Sequence, residues 1–185
     1  MASHPLNPAY RMMEVEEFLD LDMGDAKAEL VDGTIWMMAG GSPTHAAVAT
    51  NVIITLGSRL RGSGCRPYGS DMPLRTGAAS IRFPDVTVYC NNPAGLENDG
   101  KRLLDHARVV FEVLSPSTAS NDQIAKLAEY RALESVEAVV FVDPDNQRVR
   151  LIDRDGNGAW LATGADLRID PLNVTLTHDE IFARD

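Results

Sequence analysis

Apolar and polar residues alternate along the chain in patterns that predict short helices and strands in a mixed order. Residues 12–20 place their apolar side chains on one side of a short helix. Residues 27–39 form two apolar arms around Asp32-Gly33, which predicts a hairpin because the tight turn needs positive φ. Residues 45–61 then predict a helix with one buried stripe, since an apolar residue recurs at every fourth position. The stripe is Val48, Val52, Leu56 and Leu60.

The middle of the chain predicts strands separated by a helix. Strands are expected near residues 66–75 and 81–90, followed by a strongly apolar strand at residues 107–114 that is dense enough to be central in a sheet. A helix is expected over residues 122–134, with Ile124, Leu127 and Ala128 as its buried stripe, and a second apolar strand over residues 136–142.

The last part of the chain predicts a hairpin and a short capped helix. Residues 147–153 and 158–163 would form the hairpin around Asp155-Gly156, and the helix would end the chain. This order of elements predicts an α/β or α+β fold with a mixed sheet.

Composition narrows the class of protein. The chain has 185 residues, 44% apolar and 24% charged, so one globular domain over residues 1–185 is expected. No apolar run approaches the roughly 18–20 residues of a membrane span, and the start lacks the pattern of a secretion signal. Cys65 and Cys90 have neither CxxC nor zinc spacing, so we expect reduced thiols in a cytoplasmic protein with no membrane partner.

The charge is acidic overall but uneven. Seventeen Lys and Arg against 27 Asp and Glu give a formal net charge of −10, which argues against a passive nucleic-acid coat protein but not against a metal-dependent enzyme. Residues 56–82 hold five arginines against the single acid Asp71. They predict a surface for nucleic-acid phosphate, although a solvated arginine-rich loop would give the same pattern. The arginines are Arg59, Arg61, Arg66, Arg75 and Arg82.

Two carboxylates stand out against apolar surroundings. Glu112 shares one face of a strand with Val110 and Leu114, and a buried charge there needs a cation, a metal or a proton. Asp85 lies in RFPDVTVY, which we read as a strand, although Asp is a poor strand former. The ordinary alternatives are a strand-end Glu that reaches solvent or an Arg, and an Asp that ends a turn.

Carboxylates of this kind suit Mg²⁺ or Mn²⁺, which take oxygen ligands and activate water for phosphodiester hydrolysis. Lys126 is the candidate cation beside them, and it shares a helix face with Asp122 and Tyr130. An ordinary surface pair of Asp122 with Lys126 is the alternative. Glu29 is a further candidate acid, or a solvent-facing strand residue.

Two other features are assigned weaker roles. His45 lies in the first turn of the second helix, where it can meet an anion or serve only as a polar helix start. The apolar residues Trp36, Met37 and Met38 are interpreted as core side chains rather than as a base-stacking platform.

The ordered segments AELVDG, SPTHAAVATNVIITL, RFPDVTVY, VVFEVLSPST and DxxxKxxxY resemble the Uma family of bacterial proteins. These are restriction-endonuclease-like domains of the PD-(D/E)XK superfamily, and the resemblance covers about residues 12–181. It implies a central mixed β-sheet flanked by helices, with β-hairpin additions. It also implies a metal-dependent endonuclease that acts on nucleic acid, with DNA favoured.

The resemblance implies roles residue by residue. Asp85 matches the PD aspartate, and Glu112 matches the acid of the next core strand. Leu114 stands where the superfamily pattern has its lysine, and Lys126 matches the Uma-type lysine on the following helix. The implied metal ligands are Asp85, Glu112 and the backbone carbonyl of Val113. Glu29 is a possible further acid, and Tyr130, His45 and Asp122 are supporting residues.

Two alternatives remain open: a catalytically silent binding or regulatory module with the same fold, and a small-molecule phosphohydrolase. A cleaver of duplex DNA usually needs two active sites, so a homodimer is expected. Its interface would be the apolar face of Met12, Val15 and Phe18, or the arm of Trp36, Met37 and Met38.

Overall fold

A computed structural model describes residues 12–38, 40–115 and 120–184 of the chain. The helices in these ranges are α1 (Val15–Asp20), α2 (Pro43–Arg59), α3 (Ser120–Ala132) and α4 (His178–Phe182). The strands in these ranges are β1 (Ala28–Val31), β2 (Thr34–Met37), β3 (Arg66–Gly69), β4 (Leu74–Gly77), β5 (Ser80–Arg82), β6 (Val86–Tyr89), β7 (Ala107–Val113), β8 (Ala138–Asp143), β9 (Arg148–Asp153), β10 (Leu167–Ile169) and β11 (Val174–Leu176).

The strands form one large mixed sheet and two smaller antiparallel ones. The large sheet has the order β3-β6-β7-β8-β9, in which β7 and β8 run parallel and the other neighbours run antiparallel. A second sheet has the order β2-β1-β5-β4, and β10 pairs with β11. The mixed α/β fold expected from the sequence is therefore confirmed, with β7 at the centre of the main sheet.

Alternation along β7 explains how the sheet is covered. Val109, Phe111 and Val113 pack in one apolar cluster with the buried stripe of α2, as the sequence predicted. Val110 packs on the opposite face with Tyr130 of α3. Because both faces are covered, β7 is buried along almost its whole length.

The first hairpin and the second helix form as predicted. Asp32 and Gly33 have φ of 47° and 75°, the left-handed values that a two-residue turn requires. Ser42 caps α2 by accepting a hydrogen bond from the backbone N–H of His45 at 3.2 Å. The C-terminal helix α4 is capped in the same way by Thr177.

Two predicted strands are each divided between two sheets. Residues 66–75 split into β3 and the start of β4, and residues 81–90 split into β5 and β6. Pro73 and Pro84 lie at the breaks, where proline removes a backbone donor that a continuous strand would use. Asp85 consequently lies in the bend before β6, so its predicted position within a strand was wrong.

The predicted hairpin over residues 147–163 is wrong in its second arm. The strand β9 pairs with β8, whereas residues 158–163 contribute a single bridge between Arg150 and Trp160. The antiparallel pair of β10 and β11 was missed, because each strand has only three residues and gives little alternation to read.

The cysteine prediction is also wrong, because Cys65 and Cys90 form a disulfide. Arg66 of β3 pairs with Tyr89 of β6 in antiparallel register, which places the residues just outside that pair opposite each other. The sequence hides this because 25 residues separate the two cysteines. The prediction of a cytoplasmic location loses the support of reduced thiols and stays a prediction.

Helix α3 turns a different face to the sheet than its apolar pattern indicated. Ile124 is 67% exposed and Ala128 is exposed, whereas Lys126 is 8% exposed and Tyr130 is fully buried. The predicted stripe was thus wrong for Ile124 and Ala128, whereas Leu127 is half-buried and packs against the core. The polar face of α3 packs inward because Lys126 and Tyr130 bind the buried Glu112 carboxylate on β7.

The second arm of the first hairpin is not core. Trp36 and Met37 are 61% and 63% exposed, which contradicts their interpretation as core residues. They lie on β2, the edge strand of the four-stranded sheet, where neither face is fully covered. In the part of the chain that the structure describes, no helix is both long and apolar enough to cross a membrane.

Candidate active site

The carboxyl end of β7 and the start of β6 bring two acidic residues together. Val86 of β6 pairs with Phe111 of β7, so Asp85 and Glu112 are the next residues at this end of the pair. The Asp85 carboxylate also accepts a hydrogen bond from the backbone N–H of Val113 at 2.7 Å. Asp85 is thereby held beside Glu112, the other carboxylate that stood out in the sequence.

Glu112 is buried and satisfied by two side chains of α3. The ammonium of Lys126 lies 3.3 Å from each of its carboxylate oxygens, and the hydroxyl of Tyr130 donates to Oε1 at 2.5 Å. Burial raises the pKa of Glu112, and the Asp85 charge acts in the same direction. Lys126 and the Tyr130 hydroxyl oppose that rise by stabilising the carboxylate. Glu112 is thus the interior Glu that needs a cation, not a strand-end residue that reaches solvent.

Lys126 bridges two acids rather than forming a surface pair. Its ammonium lies 3.3 Å from Glu112 and 3.4 Å from Glu29, so the surface-pair alternative with Asp122 is wrong. Burial by itself lowers the pKa of Lys126, but the charges of Glu112, Glu29 and Asp122 more than reverse this and raise the pKa. Lys126 is therefore held in its protonated form.

Glu29 is buried on β1 and bonded from three directions. It accepts hydrogen bonds from the Arg82 guanidinium at 2.8 Å and from the backbone N–H of Phe83 at 3.3 Å, in addition to its contact with Lys126. The alternative that Glu29 is a solvent-facing strand residue is therefore wrong.

Arg82 is an internal cation, which corrects its prediction as a nucleic-acid ligand. Its side chain is 4% exposed and binds Glu29 at 2.8 Å and Glu129 at 2.5 Å, with Asp122 at 4.0 Å. Burial lowers the pKa of Arg82, but its hydrogen bonds to Glu129 and Glu29 more than reverse this and raise it. Its donors are occupied inside the protein and cannot track a phosphate backbone.

The other predicted arginines do not form one continuous basic surface. Arg59 pairs with Glu180 at 2.6 Å, and Arg75 pairs with Glu16 at 3.4 Å. Arg61 and Arg66 are exposed and make no ion pair with a described residue. The acids of the chain therefore neutralise much of the basic stretch, leaving Arg61 and Arg66 as its free charges.

His45 stands at the open side of the cluster. Its Nε2 lies 3.3 Å from the Asp85 carboxylate, and both side chains are 17% exposed. The hydrogen bond with Asp85 raises the pKa of His45, and the Val113 backbone adds to the rise, whereas partial burial opposes it. His45 is thus a polar partner of Asp85 as well as the start of a helix.

The donors fit a hard divalent cation. Within the described residues, no three Asp, Glu, His or Cys side chains converge on one point. Mg²⁺, however, is commonly held by one or two carboxylates and completed by carbonyl oxygen and water. Asp85, Glu112 and the Val113 carbonyl offer that set of hard oxygen donors.

Glu129 and Thr76 are parts of the cluster that sequence reasoning missed. Glu129 accepts from Arg82 and also from the Thr76 hydroxyl at 2.7 Å, which ties α3 to β4. The signal was present in the sequence, since Glu129 lies three residues after Lys126 and so near the same helix face.

Comparisons with known proteins show the family and the fold of the chain. A profile of the Uma2 family, described as "Putative restriction endonuclease", matches residues 15–183. A crystal structure from Anabaena variabilis, described as a "putative nuclease belonging to DUF820", superposes with a TM-score of 0.78. The match covers 92% of this chain and 98% of that one at 17% sequence identity, which shows a shared fold.

Two proteins of Synechocystis, both described as uncharacterized, are similar in sequence. The protein slr1290 is 25% identical over 163 residues, covering 87% of this chain and 84% of its own length. The protein sll1609 is 26% identical over 155 residues, covering 83% of this chain and 87% of its own length. The similarity thus extends over most of each chain and is not confined to one motif.

Proposed function

The chain belongs to the Uma2 family, and on this premise we propose that it is a metal-dependent endonuclease that hydrolyses phosphodiester bonds of nucleic acid, with DNA as the expected polymer. The observation that carries the proposal is the hydrogen bond between Val113 N–H and the Asp85 carboxylate. This bond holds Asp85 beside Glu112, while the ammonium of Lys126 contacts the Glu112 carboxylate.

The chemistry divides among a few side chains. A divalent cation at this position would polarise the phosphodiester and lower the pKa of a bound water. Asp85 and Glu112 would hold it, with the Val113 carbonyl as a third donor. Lys126, as an ammonium between two carboxylates, would orient the attacking water and offset negative charge on the phosphate oxygens.

Two further residues would position this machinery. Tyr130 donates to Oε1 of Glu112, which leaves Oε2 as the less engaged oxygen of that carboxylate. His45 contacts the Asp85 carboxylate at the open side, where it would orient that ligand or meet substrate phosphate. The assignment of both as supporting residues belongs to the proposal.

Burial of the cluster favours one alternative function, a catalytically silent module. Glu29, Glu112 and Lys126 are each less than a tenth exposed and already satisfy one another, as they would in a catalytically silent module. If both strands of duplex DNA are cut, we expect a homodimer, because each copy of the chain carries one cluster.

Titration with Mn²⁺ tests the proposal and separates it from this alternative. We expect saturable binding to the wild-type protein, weakened at least about tenfold by Asp85→Asn and by Glu112→Gln. Asp71→Asn is the matched control, because Asp71 is an exposed acid paired with Lys27. Absence of binding to the wild type, or equal binding by all variants, would contradict the proposed metal site.

A further inference from the structure

The edge strand β2 carries a tryptophan beside the acidic cluster. In the register of β1 and β2, Trp36 stands directly opposite Glu29. Directly opposed residues of an antiparallel pair project to the same face of the sheet. Arg82, on the other side of Glu29, lies on this face too, because it bonds the Glu29 carboxylate at 2.8 Å. The face therefore presents a row of Trp36, Glu29 and Arg82 from the edge inward.

Exposure changes abruptly along this row. Glu29 and Arg82 are buried, whereas Trp36 is 61% exposed. Burial of the large apolar surface of a tryptophan normally stabilises a fold. The exposed Trp36 side chain contributes little of this stabilisation. Tryptophan is enriched at binding interfaces, so an exposed tryptophan next to a polar cluster is a candidate binding residue.

The position of the indole defines the chemical class of its ligand. Directly opposed Cα atoms in an antiparallel pair are about 4.5–5.5 Å apart, so Trp36 stands beside Glu29. The Glu29 carboxylate in turn lies 3.4 Å from the Lys126 ammonium, which contacts Glu112. Aromatic side chains bind single-stranded nucleic acid by stacking on the flat face of a base, with little dependence on which base it is. A base that stacks in this way must be unpaired on that side.

We propose that Trp36 is a base-stacking residue that binds an unpaired nucleobase next to the scissile phosphodiester. The preferred substrate is then a single strand, or a duplex opened at an end, a nick or a mismatch. This inference rests on the proposed function and specifies its substrate class. Trp36 is a substrate-binding residue in this account and takes no part in the bond-breaking step.

The neighbouring residue Met37 separates this inference from self-association of the β2 edge. Met37 is 63% exposed and stands opposite Ala28, on the other face of the sheet. A second copy pairing edge to edge along β2 would contact both faces and so engage both residues. A stacked base at the cluster engages Trp36 alone, and the continuity of the Trp36 face with Glu29 favours the base.

Binding of a short single-stranded oligonucleotide in EDTA tests the inference without requiring cleavage. The chain has two tryptophans, so Trp160→Phe leaves Trp36 as the only tryptophan fluorophore. We expect saturable quenching of its emission as oligonucleotide is added. By fluorescence anisotropy, Trp36→Ala should weaken binding about 5- to 150-fold, Trp36→Phe should retain most of it, and Met37→Ala should match the wild type.

Unquenched Trp36 emission would overturn the inference, and so would equal oligonucleotide affinities of Trp36→Ala and the wild type. It would also be overturned if Trp36→Ala and Met37→Ala weakened binding equally and changed the sedimentation of the protein, because this would identify β2 as a self-association edge. Failure of the proposed function looks different. Trp36-dependent binding without cleavage in any metal would contradict the nuclease activity but support Trp36 as a stacking residue. Cleavage by the wild type together with unchanged binding by Trp36→Ala would contradict the stacking role but support the nuclease activity.

Discussion

The ammonium of Lys126 on α3 lies 3.3 Å from both carboxylate oxygens of Glu112 on β7. In the PD-(D/E)XK pattern that the sequence resembles, the lysine follows the acid on the same strand, but that position here is Leu114. Here the helix after the strand brings a lysine to the acid, because its polar face packs inward over the end of β7. The lysine and the acid are therefore neighbours in space although 14 residues apart in the chain.

Replacing Arg82 should destabilise the fold more than replacing an exposed arginine. Arg82→Met leaves Glu29 and Glu129 without their shared cation, and loss of one partner of a buried ion pair costs about 3–5 kcal/mol. Arg61→Met is the control, with an expected change within about 0.5 kcal/mol because Arg61 is exposed. Urea denaturation followed by circular dichroism measures both, and equal free energies of unfolding would contradict the internal role of Arg82.

Removing the hydroxyl of Tyr130 should also lower stability. Tyr130→Phe leaves the buried Glu112 carboxylate without its closest donor, with an expected cost of about 1–3 kcal/mol in the free energy of unfolding. Tyr89→Phe is a comparison that removes a bond to the neutral Pro73 carbonyl, worth about 0.5–1.5 kcal/mol. If Tyr130→Phe costs less than Tyr89→Phe, the hydroxyl does not stabilise Glu112.

Glu129 should make stability depend on pH in the acidic range. Burial alone raises the pKa of Glu129, but its hydrogen bonds from Arg82 and Thr76 more than reverse this, so the pKa lies below its ordinary value of 4.5. A carboxyl with a lower pKa in the folded state contributes stability above its unfolded pKa and loses it as pH falls through the folded value.

The corresponding measurement compares wild type with Glu129→Gln by urea denaturation from pH 7 to pH 3. The wild type should be the more stable protein above pH 4.5, and the gap should narrow as the pH falls below that value. A gap that stays constant over the whole range would show that ionisation of Glu129 does not contribute.

The fold was largely predictable because the strongest elements carry their own local signals. The α2 stripe repeats at every fourth residue, and the Asp32-Gly33 turn requires left-handed φ that its residues tolerate. The predicted strand at residues 107–114 is so apolar that both faces had to be covered. The breaks at Pro73 and Pro84 were less visible, since each divides what reads as one apolar stretch between two sheets.

The candidate residues were found partly by their misfit and partly by resemblance, but the internal pairing of Arg82 with Glu29 was not predictable. The apolar neighbours of Glu112 in the sequence identified it as a candidate. The sequence around Arg82 is typical of a surface arginine, and only the pairing of β5 with β1 places Arg82 beside Glu29. The prediction for α3 was wrong at Ile124, because an apolar residue in a helix is expected to lie on its buried face. The charge balance of an interior depends on long-range packing, which local periodicity does not report.

The disulfide gives a prediction that checks the corrected cysteine assignment. Protein purified without reductant and unfolded in guanidinium should show no thiols with Ellman's reagent, because Cys65 and Cys90 are paired. Replacing both by serine should lower the free energy of unfolding by about 2–4 kcal/mol, since the bond closes a loop of about 25 residues. Two reactive thiols per chain in the unfolded protein would contradict the pairing.

The most direct test of the central claim is cleavage of a panel of polymers. Plasmid, linear duplex, single-stranded DNA and RNA are each incubated with Mg²⁺, Mn²⁺ or EDTA and wild-type protein, Lys126→Ala or Lys101→Ala. Lys101 is the matched control because it is an exposed lysine outside the cluster. The account predicts metal-dependent cleavage by the wild type and Lys101→Ala and none by Lys126→Ala. Cleavage by Lys126→Ala at the wild-type rate, or no cleavage of any polymer by the wild type, would contradict it.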